Sequence, residues 1–243
     1  MKPVILLTRP DTAARPFADA LRAQLGAVRI VQSPLLRIEW LAADLPGGVP
    51  IFTSPRAVEG FVRAGGDAGG GCWCVGDATA RAATEAGFTA RSASGDARAL
   101  VAAILESGEA GLFVHVRGRH AIADLAAILS DAGRETRSAV VYDQVTQPLT
   151  PEARSLLHGK APVVLPLFSP RTARQFVKEY RADPAMRAPL FIAAMSAAVR
   201  DALGDIDARA LSIAAHPDAQ GMRDAVQGLI DAARRLEAGP GHK

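Results

Sequence analysis

Short apolar runs alternate with amphipathic stretches along almost the whole chain. Val4–Leu7 leads to Arg15–Leu25, where apolar positions recur at helical spacing and stop at Gly26. Ile51–Thr53 leads to Arg56–Ala64, and Trp73–Val75 to Ala78–Ala86 with Gly87 behind it. Leu112–Val116 leads to Ala121–Ala132 and Gly133; Val163–Phe168 leads to Thr172–Tyr180. Phe191–Ala194 leads to Ala197–Leu203 and Gly204, and Leu211–Ala215 to a long final helix, Ala219–Glu237. Strand–helix alternation with glycine closing the helices predicts parallel sheets covered on both faces by helices.

The pattern also repeats. Ser54-Pro55-Arg56 recurs as Ser169-Pro170-Arg171, each after an apolar strand and each followed by a helix ending near Phe61 or Phe176. Val75-Gly76-Asp77-Ala78-Thr79-Ala80 has a weaker echo in Met195-Ser196-Ala197-Ala198-Val199. Ser94-Gly95-Asp96-Ala97 is echoed by His216-Pro217-Asp218-Ala219, both with Asp placed to cap a helix. Leu7-Thr8-Arg9-Pro10, with Gly26 after its helix, is matched by Val116-Arg117-Gly118 with Gly133. Over such a long period this is a duplicated α/β domain and not a solenoid.

Composition narrows the function classes. The 243 residues suffice for two domains of about 120 residues each. No apolar stretch approaches the roughly 20 residues that span a bilayer, and Met1–Pro10 is too brief for a secretory signal. The net charge is +3, and the basic residues are scattered with no aromatic-spaced stripe, which argues against nucleic acid as a partner. Cys72 and Cys74 sit two apart in an apolar segment; on a strand they share a face, where a disulfide would be strained, so reduced thiols are expected. The five histidines lack metal-ligand spacing, and no cofactor loop appears.

Several segments, taken in order, resemble the uroporphyrinogen-III synthase family. They are Ile5–Pro10, Ser33-Pro34-Leu35, Ile51–Val58, Val75-Gly76 with Thr79-Ala80, Val116-Arg117-Gly118, Val140-Val141-Tyr142, Phe168-Ser169-Pro170 and Ala214–Pro217. The resemblance implies two flavodoxin-like, three-layer α/β/α domains with parallel sheets joined by a two-stranded linker. Residues 1–36 plus 146–243 would form a discontinuous domain and 37–145 the inserted one, with linkers near 35–41 and 142–146. On that division the first domain carries 18 basic and 12 acidic residues, net +6, and the inserted one 10 and 13, net −3. It further implies a cytoplasmic monomer without cofactor or metal, in transient contact with the preceding pathway enzyme. The reaction implied is loss of water from hydroxymethylbilane and closure to uroporphyrinogen III with ring D inverted. Unassisted, the same bilane closes to the symmetric isomer, so much of the task is to hold two rings in one geometry.

The family's pattern falls on particular residues. Tyr142 matches the family tyrosine, whose phenol could hydrogen-bond the departing hydroxyl and help it leave as water; read without the family, it is a ring packed at a domain junction. Thr53, Ser54 and Arg56, with Ser169 and Arg171 in the second copy, stand where a strand gives way to a helix. Free amides, a hydroxyl and a positive dipole end suit a carboxylate there, and Ser-Pro is equally a common helix start. Gly76 and Thr79 open another helix, with Ser196 as the counterpart in a segment that lacks the family's threonine. Arg9, Arg117 and Gly118 follow the first strands of the two repeats, at the carboxyl ends where open α/β sheets bind ligands, and guanidinium pairs well with carboxylate. Arg119 and His120 are weaker carboxylate candidates with solvation as the alternative, His115 reads as a packed core histidine, and Trp40 and Trp73 as packing residues. The competing reading is a two-lobed α/β binding protein without catalysis, since fold alone does not separate the two.

Overall fold

The computed structural model describes residues 1–120 and 124–238. In chain order the elements are β1 Val4–Leu7, α1 Asp11–Leu25, β2 Arg29–Gln32, β3 Leu36–Trp40, β4 Val49–Phe52, α2 Pro55–Arg63 and β5 Gly71–Cys74. Then come α3 Asp77–Glu85, β6 Thr89–Ser92, α4 Ala97–Glu106, β7 Phe113–Gly118, α5 Leu125–Asp131, β8 Thr136–Thr146 and α6 Pro151–His158. The chain ends with β9 Val163–Leu167, α7 Pro170–Arg181, β10 Leu190–Ala194, α8 Ala197–Asp201, β11 Ala210–Ile213 and α9 Ala219–Ala238. The expected helix Ala121–Ala132 is described only from Leu125, where the Asp124 side chain caps it by accepting the Ala127 N–H at 3.2 Å; residues 121–123 lie outside the described part.

The chain divides into two compact units, Met1–Arg37 together with the residues from Thr146 onward, and Ile38–Val145. The first unit holds a five-stranded sheet in the order β11-β10-β9-β1-β2, and the pairs described along it are all parallel. Helices α6, α7 and α8 bury Leu157, Phe176 and Val199 against one face; α1 and α9 bury Leu21, Met222 and Ile230 against the other. Such double coverage explains why Val163–Leu167 and Leu190–Ala194 are buried along their whole length and show no alternation.

The second unit holds a six-stranded sheet, β3-β8-β7-β4-β5-β6, parallel from β8 through β6. Here α2 and α3 bury Ala57, Val58, Phe61 and Ala83 on one face, and α4 and α5 bury Leu100, Ile104, Leu125 and Leu129 on the other. Expected as an extended connection, Leu36–Trp40 is an edge strand beside β8, with the Leu41 N–H donating to the Val141 carbonyl at 3.0 Å.

The two sheets are the same sheet with the chain entering at different points. Aligning the repeated Ser-Pro-Arg segments pairs β4 with β9, β5 with β10 and β6 with β11, and the other repeat pairs β7 with β1. The order β6-β5-β4-β7-β8 then becomes β11-β10-β9-β1-β2, which is the observed order of the first unit. In each sheet the winding direction reverses between the two central strands, β4 and β7 or β9 and β1. At such a switch point the loops part and leave a crevice at the strands' carboxyl ends.

Helix starts follow the sequence. Ser54 and Ser169 each accept an N–H from the residue three on, Ala57 or Thr172, at 3.2 Å, with proline at the first helical position. Asp96 caps α4 through the Arg98 and Ala99 amides at 2.9 and 3.0 Å, and Asp218 accepts the Gly221 N–H at 2.8 Å. Cys72 and Cys74 are buried reduced thiols with their sulfurs 3.9 Å apart. The shared hydrogen bond lifts the Cys72 pKa and lowers that of Cys74.

Candidate functional site

In the second unit the switch point between β4 and β7 opens into a cavity of about 440 Å³. Thr53 and Ser54 enter it from the turn after β4, Arg117 and Gly118 from the end of β7, and Tyr142 from β8; His115, His120 and Asp96 complete its polar lining. Thr53, Ser54, Arg117, Gly118 and Tyr142, separate in sequence, thus line one cavity. Their convergence follows from topology: parallel strands place their carboxyl ends on one side of the sheet.

Tyr142 is held tightly. Between Arg117 and Gly118 the pairing with β8 slips by one residue, so Arg117 faces Val140 while Gly118 faces Tyr142. Such a bulge re-aims the side chains beyond it. The Tyr142 ring lies so close over Gly118 that a Cβ there would come within 2.5 Å of two ring carbons. Trp40 meets the ring edge-on with centroids 6.2 Å apart. The residue is only 9% exposed, and its hydroxyl lies 3.4 Å from Ser54 Oγ, the same oxygen that caps α2. Phenol and serine hydroxyl therefore meet at the N-terminal end of α2, a pair suited to an anionic or hydroxyl-bearing ligand.

Arg117 supplies positive charge. Its Nη1 donates to the carbonyls of Gly118 and Arg119 at 3.2 and 3.3 Å, and its Nε to Ser138 Oγ at 3.5 Å. Among the described residues it makes no ion pair with a carboxylate. Asp143, by contrast, binds Arg119 at 2.8 Å and His120 at 3.3 Å. His120, for which solvation is one of two readings, is thus held at the cavity's edge.

Of the other sequence candidates in this unit, Arg56 lies in the first turn of α2 and does not line the cavity. Thr79 is buried on α3 at 4% exposure, and Gly76 precedes that helix with an extended backbone open to any residue. A Cβ at Gly76 would meet nothing nearer than the Gly95 carbonyl at 3.9 Å, so the space there does not require glycine.

The first unit carries the equivalent turns. Ser169 caps α7 and also contacts Thr172 Oγ1 at 2.9 Å, with Arg171 half-buried in the same turn. Ser196 stands before α8 and spends no side-chain bond on capping it. Arg9 follows β1 and lays its guanidinium 3.9 Å from the Phe168 ring centroid. Strand register makes Arg9 the counterpart of Arg117: Ile5 pairs with Val164 as Phe113 pairs with Val49, and each arginine lies four residues further on.

His115 is buried, as expected, at 1% exposure, but it also lines the cavity, and neither ring nitrogen meets a hydrogen-bond partner among the described residues. Burial, and secondarily the Arg117 guanidinium, lower its pKa to about 4, against a weaker opposing pull from Asp124. At neutral pH the ring is therefore uncharged, with one donor and one acceptor. An apolar run on a strand signals burial and says nothing about what a ring nitrogen meets. The described residues contain no group of three His, Cys, Asp or Glu able to hold a metal ion, and no helix long and apolar enough to cross a membrane.

Fold and site together define a doubly wound α/β protein with a polar-lined cavity at the carboxyl ends of the second unit's parallel strands. The structure is similar to uroporphyrinogen-III synthetase of Helicobacter pylori, with TM-score 0.65 and 16% identity over 94% of this chain and 100% of that one. It is also similar to a mutant uroporphyrinogen III synthase of Thermus thermophilus, with TM-score 0.50 and 16% identity over 97% and 100%. At such identities these likenesses carry the fold alone. Among curated proteins the sequence finds no match. The family model for uroporphyrinogen-III synthase HemD matches residues 16–224. The chain belongs to the uroporphyrinogen-III synthase family, cyclising lyases of tetrapyrrole biosynthesis.

Proposed function

We propose that the protein converts hydroxymethylbilane to uroporphyrinogen III through the cavity of the second unit, with Tyr142 as its catalytic group. The single observation that carries this reading is the meeting of the Tyr142 hydroxyl with Ser54 Oγ at the start of α2, beside an arginine that has no carboxylate partner among the described residues. The phenol donates to the departing hydroxyl of ring A and helps it leave as water. Ring D then attacks through its substituted carbon, and the spiro intermediate fragments and rejoins inverted. The protein's larger task is to keep the competing carbon out of reach.

The substrate's eight carboxylates are shared among several contacts. In the second unit these are Thr53, Ser54, Arg117 and Gly118 within the cavity, and Arg56, Gly76 and Thr79 at the starts of α2 and α3 outside its lining. In the first they are Arg9, Ser169, Arg171 and Ser196. Arg9 and Arg117 pair with carboxylates through their guanidinium forks, and the helix starts contribute amides that survive any side-chain change. The protein works in the cytoplasm as a monomer, with transient contact to the enzyme that makes its unstable substrate.

Mixing the purified protein with freshly made hydroxymethylbilane and identifying the isomer tests this; exclusive formation of the symmetric isomer would sink it. A hydrogen bond to a charged group contributes roughly 1.5–3 kcal/mol, and solvent pulls that toward the low end, so Arg9→Ala, Arg117→Ala, Arg171→Ala and Ser196→Ala should each lose about tenfold in kcat/KM. The Arg9→Ala/Arg117→Ala double variant should fall much further. Added salt should weaken the wild type more steeply than either single arginine variant. A single change that abolished activity in a folded protein would instead mark an indispensable group.

A further inference from the structure

We infer that His115 is a substrate-contacting residue, donating a ring N–H to a carboxylate of the tetrapyrrole in the second unit's cavity; this rests on the function proposed above. The observation is the combination of three facts. The imidazole is 1% exposed, it lines the cavity, and both of its nitrogens lack a hydrogen-bond partner among the described residues. A buried polar group without a partner costs stability that an apolar side chain would not.

The duplicated sheet supplies an internal control. Counting from the paired positions Phe113 and Ile5, His115 corresponds to Leu7, which is fully buried in the same place in the first unit's sheet. The strand position therefore accepts an aliphatic residue, and packing gives no reason for a histidine. In the second unit this position borders the cavity, with Arg117 two residues further along the same face of β7. Next to that guanidinium the ring stays neutral in the ligand-free protein, because burial and the neighbouring cation both disfavour a second charge. A neutral imidazole still donates one N–H, and an incoming carboxylate that pairs with Arg117 accepts it. His115 so acts on binding and not on the bond-breaking step.

The test compares His115→Leu and His115→Gln with the wild type, using fresh hydroxymethylbilane and measuring kcat, KM and the ligand-free thermal midpoint. His115→Leu, copying the first unit, should raise KM by about tenfold with kcat nearly unchanged. Its midpoint should equal or exceed the wild-type value, since an unpartnered polar group has been removed. His115→Gln, which keeps a donor, should restore KM to within about threefold of the wild type. In the wild type, the ring ¹⁵N resonances of His115 should move when uroporphyrinogen III is added without oxygen. An unchanged KM in His115→Leu, or ring resonances indifferent to the product, would return His115 to a packed core residue. A wild type that does not form the III isomer would defeat the proposed function and this inference together. A competent wild type with an indifferent His115 defeats only the latter.

Discussion

Tyr142→Phe is expected to fold normally and to lose about two orders of magnitude in kcat, within the range that general acid assistance contributes. The ring is held chiefly through its carbons, by Gly118 beneath it, by Trp40 at its edge and by the surrounding core. Removing the oxygen forfeits one long contact to Ser54 Oγ, so stability should change by less than about 1 kcal/mol. KM should stay close to the wild-type value, because the carboxylate contacts are untouched. The product formed on the protein should remain the III isomer, since ring placement comes from the site's shape. Steady-state kinetics, with separation of the oxidised porphyrin isomers, reads all of this. Turnover equal to the wild type would reduce Tyr142 to a packing residue and leave departure of water to another group.

Gly118→Ala is expected to be at least as damaging, by a different route. The new methyl would lie 2.5 Å from two carbons of the Tyr142 ring, so ring or strand must move. Strand β7 is fixed between β4 and β8, and the ring is packed against Trp40 and the surrounding core, so neither yields cheaply. Overpacking of this kind costs about 1–3 kcal/mol of stability. A shift of the hydroxyl by about 1 Å costs roughly 100-fold in rate, because reacting groups must meet in a narrow geometry. Both variants act through the same hydroxyl, so Gly118→Ala/Tyr142→Phe should be scarcely slower than the worse single change. Multiplying losses would show that Gly118 serves something besides the tyrosine. A Gly118→Ala protein with native stability and rate would mean that the ring is free to turn aside, and the tight seat described here would carry no functional weight.

Much of this architecture is legible in the sequence because parallel strands buried on both faces must be continuous apolar runs, as at Val163–Leu167 and Leu190–Ala194. Helix starts are legible for a local reason: a serine or aspartate three residues before a free amide satisfies it wherever the helix lies, as Ser54, Asp96 and Ser169 do. Edge strands are harder. Arg29–Gln32 and Thr89–Ser92 are half-covered and polar, so they leave no apolar run to read. Leu36–Trp40, expected as one extended crossing of a two-stranded linker, stands as a strand beside β8. The repeated Ser-Pro-Arg segments, and the arginines Arg9 and Arg117 after the first strands, disclose a duplication, but that the two sheets are one sheet entered at different points emerges only from the pairing order. The site divides in the same way. Tyr142, Ser54 and Arg117 can be nominated from the chain, whereas their convergence depends on which strands are neighbours and on the one-residue slip at Gly118. His115 marks the limit. Its apolar flanks announce burial, and burial is a property of the strand. Whether its nitrogens find partners depends on side chains brought from elsewhere in the fold, and those are set by tertiary packing alone.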